Sequence, residues 1–248
     1  MYNPFTLEGK NILITGASSG IGRATAIECS KMGATVFITG RNEIRLKETY
    51  NLLNGHNHVQ IIADLKLNQD IQDLVDKLPA LDGCVNNAGV VKTLMTSFIN
   101  SDSLNEVLQI NAIAPILLTQ LLIKKKKLQK NSSIVFTSSV SGINVAAIGN
   151  VLYSTSKGAI NGFVKNAALD LASKSIRVNS VCPGMIHTSI YDEGVISEDQ
   201  LLEDMKKYPL KRFGRPEEVA YAIIYLLSDA SAWVTGTNLL IDGGFTLL

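Results

Sequence analysis

The sequence predicts an α/β chain, a doubly wound parallel sheet with helices on both faces, and three observations carry that prediction. Short runs rich in Val and Ile alternate with longer amphipathic stretches along almost all of the 248 residues. Runs of that kind are strands buried on both faces, and the stretches between them are the covering helices. Hydrophobic residues make up 46% and charged residues 18%, which supplies a core and argues against a long disordered tail. No Pro-, Ser- or Gly-rich linker divides two zones of composition and no repeat interrupts them, so residues 1–248 are expected to form one domain.

The strands expected, in chain order, are Asn-Ile-Leu-Ile-Thr at 11–15, Thr-Val-Phe-Ile-Thr at 35–39, and runs at 58–63 and 81–86. Ser-Ile-Val-Phe-Thr at 133–137 follows, then 177–181 and 238–241, making seven. Helical patterns fall between them at 20–32, 42–53, 103–127, 151–173 and 216–227. The polar stretch 185–215, with a short helical pattern at 197–207, breaks the alternation and is long enough to form a lid. Ligands of open parallel sheets bind beyond the carboxyl ends of the strands, where strand order reverses, so the chemistry is expected in the loops that follow strands.

The 23 basic and 22 acidic side chains leave a net charge of +1, which supplies no field for nucleic acid or an anionic membrane. Cys29, Cys84 and Cys182 are odd in number and far apart, as in a reduced chain rather than a disulfide scaffold. Residues 1–10 lack the pattern of a secretion signal, and no run was expected to approach the roughly 20 apolar residues that span a bilayer. A soluble, cytoplasmic protein is the expectation. His56 and His58 sit in an Asn-rich turn and His187 in a later loop, without the spacing of a metal site; all three are expected to be solvated, and no metal is expected. Cys182 lacks an evident base beside it and Trp233 is expected to pack.

Directly after the first strand comes Thr15-Gly16-Ala17-Ser18-Ser19-Gly20-Ile21-Gly22, then a helix. Glycines there let backbone N–H groups at a helix N-terminus approach a pyrophosphate. Tyr153 and Lys157 are four apart at the start of a helical pattern and share a face, so the ammonium can favour the phenolate and draw a pKa of about 10 toward neutrality. Alone, either pattern is common. Together with Asn86-Asn87-Ala88-Gly89, Asn111, Ser139, Pro183-Gly184 and Asp242-Gly243-Gly244 in this order, the chain resembles the single-domain short-chain dehydrogenase/reductases over nearly its whole length.

That resemblance implies a Rossmann-type sheet and a nicotinamide dinucleotide held by Gly16, Ser18, Ser19, Gly20, Ile21 and Gly22 at the phosphates. Asp64 would help hold the adenine, although an Asp after a strand also fits a helix cap. Leu65, Asn87, Ala88 and Gly89 would also bind the cofactor, and the Pro183-Gly184 segment would contact the carboxamide through the Ile186 backbone and the Thr188 hydroxyl. The second strand ends in Thr39-Gly40-Arg41-Asn42 with no carboxylate for a ribose 2′-hydroxyl, and Arg41 suits the 2′-phosphate of NADP. NADP(H) is therefore preferred over NAD(H), although Ser19 stands where many NADP-using members carry a second basic residue, and Arg41 also fits a solvated helix start.

The same resemblance implies the catalytic set Asn111, Ser139, Tyr153 and Lys157. Tyr153 would exchange a proton with the substrate oxygen and Ser139 would bond that oxygen. Lys157 would hold the nicotinamide ribose and tune Tyr153, and Asn111 would keep a relay water. The segment from Ser139 to Tyr153 is one residue longer than expected, a difference placed in the loop 144–148. Val90, Val91, Met95, Ile143, Val145, Ile148, Met185 and Tyr191 would make a largely apolar pocket. The Lys124–Lys127 run with Lys130 and Lys174 either complements helix ends or docks an acyl carrier protein. The activity implied is carbonyl reduction, with a 3-oxoacyl-[acyl-carrier-protein] reductase first. A sugar, polyol or steroid dehydrogenase and a non-catalytic dinucleotide sensor are the alternatives. A homotetramer built through the 103–127 and 151–173 helices and the last strand is also implied.

Overall fold

The computed structural model describes residues 2–187 and 198–248, with 198–200 described by backbone alone. Seven parallel strands form one sheet in the order β3-β2-β1-β4-β5-β6-β7. They are β1 Asn11–Thr15, β2 Thr35–Gly40, β3 Val59–Ile62, β4 Leu81–Asn86, β5 Leu128–Thr137, β6 Arg177–Pro183 and β7 Asn238–Ile241. The helices are α1 Gly20–Lys31, α2 Glu43–Asn51, α3 Asn68–Lys77, α4 Ser101–Leu108, α5 Ala114–Lys124, α6 Val151–Ala172, α7 Glu198–Lys206 and α8 Pro216–Leu227.

Alternation along the central strands divides the core between the two faces, because successive side chains of a strand point to opposite sides. Leu13, Cys84, Ile134 and Phe136 face one way, onto α3, α5 and α6 through Leu74, Leu118, Leu122 and Val164. Ile12, Ile14, Val85 and Val135 face the other way, onto α1, α2 and α8 through Ala26, Leu46, Ile223 and Leu227. Each fully buried aliphatic or aromatic side chain contributes about 1.5–3 kcal/mol over exposure. The order reverses where β1 lies between β2 and β4, and the cleft opens beyond that edge.

The structure differs from the expectations at several points. Helix α3 was not anticipated; its sequence is mostly polar, and only Ile71, Leu74 and Val75 supply the buried stripe. Strand β5 begins at Leu128, earlier than 133, because Leu128 pairs with Leu81 ahead of a register shift while residues 129–131 face solvent. The expected 103–127 helix begins at Ser101, where the Asn100 side chain accepts from Ser103 N at 2.9 Å. It ends at Lys124, because Lys126 turns into the left-handed region at φ 54°. Lys127 then donates to Leu78 O and Lys125 pairs with Asp76.

His58 is buried, not solvated: its Nδ1 accepts from Val36 N at 3.2 Å and its Nε2 lies 2.9 Å from Asn54 O. Trp233, expected to pack, is fully exposed in the isolated chain. The run Ser101–Lys124 is long and apolar enough to cross a membrane by length and composition, contrary to the expectation that none would be. Half of it is buried inside the fold, and Ala112, Ala114, Leu118 and Leu122 lie in the core.

Candidate active site

Beyond the carboxyl ends of β1, β2, β4 and β5 lies a cleft of about 490 Å³. Gly16, Ser18, Ser19, Gly20, Ile21, Arg41, Asp64, Leu65, Asn87, Ala88, Gly89, Ser139, Tyr153, Lys157, Pro183, Gly184 and Ile186 all line it. Residues far apart in sequence are thus brought to one surface. Thr188 and Tyr191 lie outside the described residues.

The turn after β1 is shaped by two close approaches. Gly16 has φ +64°, and a Cβ there would stand 2.7 Å from Ala88 Cα. A Cβ on Gly22 would stand 2.2 Å from Gly16 O. Gly22 is buried and is absent from the cleft lining, so its place is in packing α1 against the turn rather than at the ligand surface. Ser19 is the N-cap of α1 and lines the cleft, but its side chain makes no capping bond.

Asn87 does more than line the cleft. Its Nδ2 donates to Thr15 O at 3.2 Å, and its Oδ1 accepts from Thr137 Oγ1 at 3.2 Å. The buried Thr15 hydroxyl accepts from Asn87 N at 3.0 Å and Ala88 N at 3.1 Å. One network therefore joins the ends of β1, β4 and β5. Asp64 likewise works locally: its Oδ1 accepts from Lys66 N at 3.0 Å.

Lys157 is buried, and its Nζ donates to Thr137 O at 2.7 Å while lying 5.5 Å from the centre of the Tyr153 ring. Burial pushes its pKa down to about 8. The three nearby serines are separated by their bonds. Ser138 Oγ donates to Lys157 O at 3.3 Å, and Ser141 Oγ accepts from Asn150 at 3.2 Å. Ser139 Oγ accepts from Ser141 N at 3.2 Å and keeps its O–H for donation into the cleft. Cys182 is buried, and burial pushes its thiol pKa up, as suits an inert residue.

Asn111 sits in a π-helical turn, Gln109–Ile113, between α4 and α5, a rare widening that recurs at functional sites. It does not line the cleft. Its amide exchanges two 2.8 Å bonds with Val90 and donates to Ser156 Oγ at 3.0 Å. The side chain is thereby committed to fixing the loop after β4 against α6. At the cleft's far side, Gly184 N donates to Ile241 O at 3.0 Å and Met185 N to the Tyr208 hydroxyl at 3.0 Å, which anchors the segment after β6.

The expected residues omitted several lining groups, among them Asn42, Arg45, Lys66, Ile110 and Thr137. That Asn42 and Arg45 follow the end of β2 by two and five residues was visible in sequence, but the direction of the α2 axis was not.

A family model described as Enoyl-(Acyl carrier protein) reductase matches residues 16–246. The chain belongs to the short-chain dehydrogenase/reductases. It is 34% identical to a 3-oxoacyl-[acyl-carrier-protein] reductase of Rickettsia felis over 98% of this chain and 99% of the relative. It is 36% identical to one of Thermotoga maritima over 97% and 99%. A solved Agrobacterium tumefaciens protein assigned as a 2-deoxy-D-gluconate 3-dehydrogenase, with NADP bound, superimposes with a TM-score of 0.90 at 28% identity over 100% of each chain. As a member of this family the chain is an NAD(P)-dependent oxidoreductase acting between a carbonyl and a secondary alcohol.

Proposed function

We propose that this chain is an NADP(H)-preferring 3-oxoacyl-thioester reductase, with acyl carrier protein as the carrier of its substrate. One observation carries the reading: Ser139, Tyr153 and Lys157 meet at one end of a cleft whose other end presents Arg41 and no carboxylate at the end of β2. The dinucleotide fits this cleft, because the Gly16 turn has no room for side chains and the Ser19 side chain makes no capping bond. When bound, the nicotinamide supplies hydride to the carbonyl carbon.

Tyr153 donates the proton to the developing alkoxide, and Ser139 donates a hydrogen bond to the same oxygen. The Lys157 ammonium, fixed by Thr137 O, lowers the cost of the Tyr153 phenolate and holds the ribose. Asn111 positions the Val90 loop and α6 behind them; a relay water held by its side chain fits poorly with an amide so engaged. Val90 and Val91 line the cleft with apolar surface suited to an acyl chain, and Met95, Ile143 and Ile148, which do not line it, are exposed. Lys124, Lys126, Lys130 and Lys174 are exposed, without an ion pair among the described residues, and offer an acidic carrier protein a basic surface. The domain is a single unit, cytoplasmic, and assembles as a homotetramer through the outer faces of α5 and α6, where Leu117 and Leu169 are exposed.

The test follows nucleotide absorbance with acetoacetyl and crotonyl thioesters, NADPH and NADH in parallel. Turnover of the acetoacetyl thioester with NADPH is expected. Turnover of the crotonyl thioester instead moves the reading to enoyl reduction, and oxidation of sugar acids with neither thioester turned over moves it to a polyol-type dehydrogenase.

A further inference from the structure

We infer that Arg45 forms, with Arg41, a two-cation seat for the cofactor's 2′-phosphate, an inference that rests on the NADP(H) reading above. Both residues line the cleft beyond β2, at its adenosine end. Asp64 is the one carboxylate among the described residues of that lining. Lys66, the other cation there, is held by Glu106 at 3.2 Å. Neither Arg41 nor Arg45 has an ion pair among the described residues.

The isolation of Arg45 has a structural cause. Glu48, three residues on, is the ordinary partner for an arginine on a helix face. Glu48 Oε2 is instead taken at 2.9 Å by Arg23 Nη2, which also donates to Ser18 O at 2.7 Å and to Arg45 O at 3.2 Å. Arg23 thus removes the carboxylate that would neutralise Arg45 and ties the backbone of Arg45 to the phosphate turn. From the other side, Asn42 Oδ1 accepts from Arg45 N at 2.9 Å. The first turn of α2 is fixed by both bonds, and the Asn42 oxygen is engaged in capping.

A phosphate dianion is matched best by paired guanidinium forks, which bond it bidentately and remain charged at every working pH. Arg45 thereby supplies from α2 the second cation that Ser19 does not supply from the turn after β1.

The test measures dissociation constants of NADPH and NADH by nucleotide fluorescence for the full chain, Arg41→Met and Arg45→Met. Adenosine 2′,5′-bisphosphate and AMP serve as displacing probes. Both arginines are exposed, so neither truncation removes packing from the core. Arg45→Met is expected to weaken NADPH and the bisphosphate roughly tenfold while NADH and AMP stay within about twofold. Unchanged NADPH affinity in Arg45→Met, with affinity lost in Arg41→Met, overturns the role of Arg45 and leaves the NADP(H) reading standing. Equal loss of NADPH and NADH in Arg45→Met also overturns it. A wild-type chain that binds NADH as tightly as NADPH overturns the cofactor preference and this inference together.

Discussion

Tyr153 and Lys157 illustrate how single residues acquire chemistry from their surroundings. Four residues apart on α6, they share a face by helical geometry alone. The ammonium is placed by Thr137 O, which belongs to a strand brought alongside by the sheet. Tyr153→Phe is expected to remove most turnover and leave NADPH affinity nearly unchanged, measured by stopped-flow reduction beside a fluorescence titration. Retained turnover defeats the proposed proton donor.

Burial lowers the Lys157 pKa from 10.5 to about 8. Between those values the unfolded chain keeps a proton that the folded chain has lost, so this group makes stability rise with pH across that window. Its catalytic effect runs the other way: loss of the ammonium removes support for the phenolate, and carbonyl reduction is expected to fall as pH rises through about 8. Rate and chemical denaturation measured together separate the two, since a fall in rate without a fall in stability is not unfolding.

At the scale of elements, the ends of β1, β4 and β5 are held by side chains as well as by the sheet ladder. The buried Thr15 hydroxyl accepts two backbone N–H bonds and donates to Val85 O at 3.3 Å. Thr15→Val keeps the shape and leaves those N–H groups unpaired, at a cost of about 2–4 kcal/mol and a drop in Tm of about 5–15 °C. A melting temperature within about 2 °C of wild type counts against this role. The Val/Ile runs made most strands legible, and the glycine turn marked the start of α1. Helix α3 escaped because its polar residues outnumber its three buried ones. The π turn at Asn111 left no sequence mark, because a widened turn arises from packing between α4, α5 and α6 rather than from any residue's preference.

For the whole molecule, the outer surface carries large apolar side chains that the single chain leaves uncovered. Leu169 is 78% exposed and Trp233 100% exposed, and large apolar side chains in that state are commonly covered by association. Sedimentation is expected to give a tetramer for the wild type and a smaller species for Leu169→Glu, with nucleotide affinity of the mutant retained. A stable wild-type monomer defeats the assembly.

The amino-acid sequence by itself determined the alternation of strands and helices, the place of the glycine turn and the order of the serine, tyrosine and lysine, because periodicity and local spacing carry those properties along the chain. The tertiary structure decided which groups meet. It buried His58, committed Asn111 to Val90, placed Gly22 in packing rather than in the cleft, and drew Arg23 onto Glu48 so that Arg45 has no ion pair among the described residues. Such pairings depend on the distance between side chains remote in sequence, and only the packed sheet and helices define that distance.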